Sequence, residues 1–267
     1  MFKERLISGI ILLLIAVTTL YYGGIITWGV VFAISLVAQF EFLRVFKLDK
    51  TGLSYISYGF TCLYYLLLII EDSHSMIAIP IFILLIMTSY VLTFPKYQVS
   101  QVLIYIVSFV YIILFLSYIY QIRVLENGGY LIILVFIASW GSDTLAYCAG
   151  RLFGKHKMAP VLSPKKTVEG AVGGVLGAVL LGLFYAWIVN NKLDVSYNPM
   201  ILFPTICFLG AFLSMIGDLT ASAIKRNQEI KDYGHLIPGH GGILDRFDSI
   251  MFTAPVVYYL AVILGGL

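Results

Sequence analysis

The sequence predicts an all-α fold: a polytopic integral membrane protein of about nine transmembrane helices, with its N-terminus in the cytoplasm. Three observations carry this prediction. Of 267 residues, 60% are hydrophobic and only 12% charged, and mean hydropathy is +0.96; soluble domains run nearer to about half apolar and about a quarter charged. Apolar stretches of roughly 20 residues, the length needed to cross a bilayer, recur along the whole chain. The lysines and arginines are partitioned between alternate loops.

The stretches fall at about 6–22, 25–44, 53–70, 76–94, 101–121, 130–149, 168–189, 200–222 and 247–266. The opening MFKER and its apolar run mimic a signal peptide, but no small-x-small cleavage site follows, so a retained first helix is expected. No lipidation motif is present. Tyr22-Gly23-Gly24 joins the first two spans in a tight hairpin. Spans three to five are nearly devoid of polar residues and read as scaffold. Residues 1–125 are thus expected to form scaffold helices. Residues 126–267 are expected to carry the chemistry, with cytoplasmic loops at 150–167 and 223–246. With an odd span count and a cytoplasmic N-terminus, all of the 17 Lys and Arg residues except Arg123 and Lys192 face the cytoplasm, the distribution that topology follows. There is no internal repeat, low-complexity tract or separate soluble domain. Cys62, Cys148 and Cys207 lie in apolar stretches without CxxC or Cys/His spacing, which supports neither a disulfide framework nor a zinc site.

Chemistry concentrates between Ser222 and Asp248. This stretch holds Lys225, Arg226, Lys231 and Arg246, the acids Asp232, Asp245 and Asp248, and a His240-Gly241-Gly242 turn; Asp218 lies just upstream. Cations, carboxylates and bare backbone N–H groups together suit a phosphate with its metal ion. Asp143 and Asp218 fall inside spans, where a charge costs at least ~2.5–3.5 kcal/mol. Each is read as a metal or ligand contact, against the alternative of a helix-to-helix hydrogen bond or interfacial cap. Glu41, near the cytoplasmic end of the second span, is open between the two. Asp218, Ser222 and Lys225 share one helical face, as do Asp143, Tyr147 and Gly150. Ser163-Pro164 is a helix-start signal that would set Lys165 and Lys166 beside a helix N-terminus aimed at an anion; the alternative is a loop that only fixes topology. Glu169 can serve the helix dipole or the site. Gly170, Gly173, Gly174 and Gly177 form overlapping GxxxG spacings and point to close helix packing. Asp245 and Asp248, three residues apart, share a face and, with Asp218, can form a hard-cation site. Oxygen-only ligation favours Mg²⁺ over zinc. Arg246 can clamp a phosphate bidentately. His235 and His240 are candidates for phosphate or base contact, or simply solvated.

At these residues the chain resembles the phosphatidate cytidylyltransferases, or CDP-diacylglycerol synthases. The family signature of Ser, Lys-Arg, Lys-Asp, Pro-x-His-Gly-Gly and Asp-Arg-x-Asp is matched by Ser222, Lys225-Arg226, Lys231-Asp232, Pro238, His240-Gly241-Gly242, Asp245-Arg246 and Asp248. Asp143, the Gly150-Arg151…Gly154-Lys155 loop and Ser163-Pro-Lys-Lys-Thr167 resemble the family too. The resemblance implies transfer of the cytidylyl group of CTP to phosphatidate, giving CDP-diacylglycerol and pyrophosphate. It further implies a Mg²⁺ requirement, a second cation such as K⁺, metal ligation by Asp218 and Asp245, and a homodimer. On that reading Asp248 and Asp143 support the metal. Lys165, Lys166, Lys225, Arg226, Lys231 and Arg246 hold phosphates, and Ser222, His240, Gly241 and Gly242 make polar contacts. Membrane lipids are partners, and no nucleic acid is expected. The setting is a bacterial inner membrane with the site facing the cytoplasm. The attacking phosphate oxygen is already anionic and needs no general base; no Ser-His-Asp or Cys-His set is present to supply one. The demand is for charge neutralisation and alignment.

Two other readings have distinct consequences. A CTP-dependent polyprenol or phytol-type lipid kinase would share the basic loops and acids but move the γ-phosphate to an alcohol. A cation-coupled transporter would line a pathway with Glu41, Asp143 and Asp218, which predicts charges spread through the membrane depth rather than gathered at one face.

Overall fold

The computed structural model describes residues 9, 14, 16–70, 76–193, 195, 197–237, 239 and 241–266. Among the described residues from Gly24 onward, eight helices follow one another: α1 (Gly24–Val45), α2 (Gly52–Ile70), α3 (Ala78–Leu92), α4 (Val99–Val124), α5 (Gly128–Phe153), α6 (Val168–Val189), α7 (Pro199–Asn227) and α8 (Leu244–Gly265). Seven of them are long and apolar enough to cross a membrane, α6 being extended by a 3-10 turn to Lys192. α3, with 15 residues, is shorter. The chain is an α-helical polytopic membrane protein. Eight of the 17 residues of the first expected span, 6–22, lie outside the described residues. Its described end, 16–22, is helical and stops at Gly23, whose φ of 64° lies in the region that favours glycine.

Three local expectations are corrected. The segment after α5 is a two-stranded antiparallel hairpin, β1 (Lys157–Ala159) with β2 (Ser163–Thr167), rather than a loop running into a helix at Ser163. A residue before proline is pushed towards extended backbone, so Ser163 enters a strand, and proline is tolerated on the edge of so short a ladder. Thr167 takes the cap instead: its Oγ1 accepts the Gly170 N–H at 3.1 Å and opens α6. Secondly, α5 runs on to Phe153, so 150–153 is helical rather than loop. Thirdly, the polar region expected at 223–246 is narrower. α7 continues to Asn227 with Lys225 and Arg226 in its last turn, and α8 begins at Leu244 with Asp245 in its first. Both placements complement the helix dipole, which is why charged residues extend these helices instead of ending them.

Contacts divide the chain into two compact units, one comprising residues up to Gln121 together with Asp232–Asp245, the other Ile122–Lys231 with Arg246 onward. The first unit is held by aromatic and polar packing. Phe82 and Phe109 stack with ring centroids 4.4 Å apart, edged by Phe60 and Tyr64. Gln39 of α1 donates to Ser57 of α2 at 2.9 Å and accepts from Thr61 at 2.9 Å, and Ser35 meets the Tyr65 hydroxyl at 2.6 Å. Such bonds join helices where lipid offers no alternative partner.

The second unit is organised by small residues. Along α6, a Cβ on Gly174 would meet the Ala146 Cβ and the Ser142 carbonyl, each at 2.8 Å, and one on Gly170 would meet the Ala146 carbonyl at 2.8 Å. Gly173 and Gly177 face Ala149 and Leu145 in the same way. The GxxxG spacing therefore seats α6 directly on α5. α7 closes from the other side: Gly182 faces Cys207, Gly210 faces Ala138, and Gly217 faces the Asp248 carbonyl of α8. α5 carries a π-helical turn, Ile137–Gly141, immediately before Ser142-Asp143. The hydroxyls of Ser139 and Ser142 bond back to Val135 and Ala138 carbonyls at 2.6 and 2.7 Å, supplying donors where the wider turn disturbs the regular ladder.

Candidate active site

A cavity of about 460 Å³ opens in the second unit between α5, the hairpin, α6 and α7. Asp143 of α5, Asp218 of α7, and Lys165 and Lys166 of β2 all line it. The small residues just described let α6 sit close enough to α5 for the hairpin to reach the acids. Glu169 secures the hairpin's base by accepting the Lys155 N–H at 3.0 Å and pairing with His156 Nδ1 at 2.6 Å. Lys166 forms an ion pair with Asp218. Ser222, one turn along α7, lies 3.5 Å from Asp218 Oδ1. Asp143 Oδ2 accepts from Ser249 Oγ of α8 at 3.2 Å. Asp143, Asp218 and Asp248 lie within electrostatic reach of one another; Lys166 bears on Asp143, and Lys225 on Asp248. Arg246 has a buried Nε with no hydrogen-bond partner among the described residues.

The cavity's acidic side chains, Asp143 and Asp218, are carboxylates, the donor type that suits a hard cation. The Lys166 ammonium already stands as a positive charge against Asp218. Among the described residues, no three His, Cys, Asp or Glu side chains are drawn together as a closed metal cage.

In the first unit, segment 232–245 forms a different cluster. Asp245 Oδ2 accepts the Tyr233 N–H at 2.8 Å and the Gly242 N–H at 3.0 Å. Glu41, 3% exposed, accepts the Ile243 and Leu244 N–H groups at 3.1 and 2.9 Å. Gly241, at φ 87°, makes the turn that brings this backbone round, and the Ile237 N–H closes it on the Gly241 carbonyl at 2.9 Å. Of the turn's N–H groups expected to be bare for a phosphate, that of Gly242 is thus engaged by a carboxylate, as are those of Ile243 and Leu244 that follow it.

The expected residues therefore fall in two groups. Asp143, Asp218, Asp248, Lys165, Lys166, Ser222 and Lys225 gather in the second unit, whereas Asp245, Gly241 and Gly242 belong to the first. Arg226 and Lys231 are exposed. His240 and Pro238 lie outside the described residues; His235 is exposed. Four polar lining residues were not picked out as ligand contacts: Tyr147, Arg151, Ser163 and Thr167. Tyr147 was legible as one turn beyond Asp143, and Arg151 as two turns beyond. Met158 and Met215 give the cavity an apolar side that no motif announces.

Comparison with known proteins places the chain. The sequence model of the cytidylyltransferase family matches residues 3–264. A Bacillus subtilis protein named phosphatidate cytidylyltransferase is 33% identical over 266 residues, covering 97% of this chain and 97% of the relative. A Staphylococcus epidermidis protein of the same name is 33% identical over 266 residues, covering 97% and 99%. One from Thermotoga maritima is 36% identical over 172 residues, covering 64% and 63%. A match that runs through every helix and both charged segments admits one conclusion: this chain is a member of the cytidylyltransferase family.

Proposed function

We propose that the chain is a phosphatidate cytidylyltransferase: it transfers the cytidylyl group of CTP to phosphatidate, giving CDP-diacylglycerol and pyrophosphate for phospholipid synthesis. The observation that carries this reading is the cavity in which Asp143 and Asp218 meet Lys165 and Lys166, in a chain whose near full-length relatives bear that name. The reaction joins two polyanions. A phosphatidate oxygen forms a bond to the α-phosphorus, and the bond from that phosphorus to the bridging oxygen of pyrophosphate breaks. The nucleophile arrives ionised, so no side chain need take a proton. What the chain supplies is cationic contact and alignment.

In this reading Lys165, Lys166, Lys225, Arg226, Lys231 and Arg246 hold phosphate oxygens, and Ser222, His240, Gly241 and Gly242 make polar contacts. Asp218 and Asp245 would hold Mg²⁺, with Asp248 and Asp143 in support; Asp245 enters from its match to the family signature. When bound, Mg²⁺ neutralises phosphate charge and makes the α-phosphorus more electrophilic. A second cation such as K⁺, a homodimer, nine spans with a cytoplasmic N-terminus, and an active site on the cytoplasmic side of a bacterial inner membrane complete the proposal. The distribution of Lys and Arg supports the orientation.

The test is incubation of purified protein with CTP, phosphatidate and Mg²⁺, followed by assay for pyrophosphate and a cytidine-bearing lipid. With CTP labelled separately at the α- and γ-phosphates, appearance of only the γ-label in lipid would replace this reading with the kinase. Ion flux through vesicles without CTP turnover would replace it with transport.

A further inference from the structure

We infer that Glu41 is a positioning residue for the reaction, acting through segment 232–245, which carries Gly241, Gly242 and Asp245. The inference rests on the proposed cytidylyl transfer and deepens it. Glu41 sits on α1 and is 3% exposed. A carboxylate so placed must find partners, and its partners are backbone amides about 200 residues away. Its Oε1 accepts from Ile243 at 3.1 Å and its Oε2 from Leu244 at 2.9 Å. Leu244 is the first residue of α8 and Ile243 the one that precedes it; N–H groups at a helix start have no acceptor within their own helix. Glu41 is therefore the cap of α8, supplied by another helix.

Three further contacts make this a clamp rather than a lone cap. Gly234 and Gly242 both close over the Glu41 carboxylate, where a Cβ on either would collide with it. Arg44, one turn on and on the same face of α1, donates from Nη2 to the Tyr233 carbonyl at 3.1 Å. Tyr233 and Gly242 then donate their N–H groups to Asp245. Each thus touches α1 on one side and Asp245 on the other. Moving Glu41 moves Gly242, and Gly242 sets where Asp245 Oδ2 points.

Glu41→Gln keeps the size and one acceptor but turns a donor towards an N–H group. Two measurements on the full-length purified protein decide the matter: amide hydrogen exchange, and the Mg²⁺ dependence of cytidine-lipid formation. Exchange should accelerate in peptides spanning 233–244 and stay unchanged in those spanning the 157–167 hairpin. The half-saturating Mg²⁺ concentration should rise about tenfold, the scale of losses seen when outer-shell partners are removed; a smaller fraction of folded protein would not move it. Glu41→Asp, which restores the charge at shorter reach, should fall between. Should Glu41→Gln fail to fold, Arg44→Met tests the same clamp and should shift both readouts in the same direction. Unchanged exchange at 233–244, or unchanged Mg²⁺ dependence, overturns the inference. Wild-type protein that makes no cytidine lipid overturns the transfer reaction itself, and that control separates the two failures.

Discussion

Lys166 of β2 and Asp218 of α7 form an ion pair inside the cavity, with side chains 23% and 28% exposed. Partial burial shields such a pair from salt, and Asp143 lies in the field of both partners. Replacing Lys166 by Met would leave Asp143 and Asp218 facing each other without that cation. Turnover of CTP should fall on the order of a hundredfold, as when one preorganised donor to developing charge is removed. Steady-state rates with CTP and phosphatidate check this; near wild-type turnover would take Lys166 out of phosphate handling.

Asp218 is expected to be indispensable. Asp218→Asn keeps the volume and removes the charge, so the protein should insert and purify normally yet lose turnover entirely. A chelator of divalent cations should stop the wild-type reaction, and added Mg²⁺ should restore it. Full activity in Asp218→Asn, or in chelator, would count against the metal assignment.

Thr167 joins helix to hairpin. Its hydroxyl caps α6, and its side chain packs against Gly150 and Gly154. Thr167→Val should cost about 1 kcal/mol of stability, the usual worth of an N-cap, while Thr167→Ser should cost little. Thermal unfolding in detergent measures the difference. Because the same residue ends the strand carrying Lys165 and Lys166, CTP turnover should fall in Thr167→Val more than in Thr167→Ser.

The α5–α6 seam has no room for a side chain at Gly174. Gly174→Val must displace Ala146 or the Ser142 backbone, and overpacking of this kind costs typically about 1–3 kcal/mol. A lowered unfolding midpoint is expected, with loss of turnover, because Asp143 follows Ser142 directly on the displaced helix. Gly129→Val is the control: a Cβ there meets nothing closer than the Arg123 side chain at 3.7 Å.

Most of the helical pattern was legible because length and apolarity suffice to identify a span. The acids and lysines of the cavity were legible because charge is so scarce elsewhere. Glu41 was not assignable, since its partners lie 202 and 203 positions away and nothing local names them. The Ser163-Pro164 signal misleads by itself: serine and proline open helices and extended segments alike, and the pairing of β1 with β2 decides between them. The engagement of Gly242 by Asp245 was equally hidden, because a glycine turn looks the same whether its amides await a ligand or already have one.

The return of segment 232–245 to the company of α1 bears on how the gene can be cut. A shortened version starting after α4 would keep every residue of the family signature yet discard the carboxylate that seats its middle. Chimeras that exchange the N-terminal helices between relatives should therefore carry position 41 and the two glycines at 234 and 242 from the same parent.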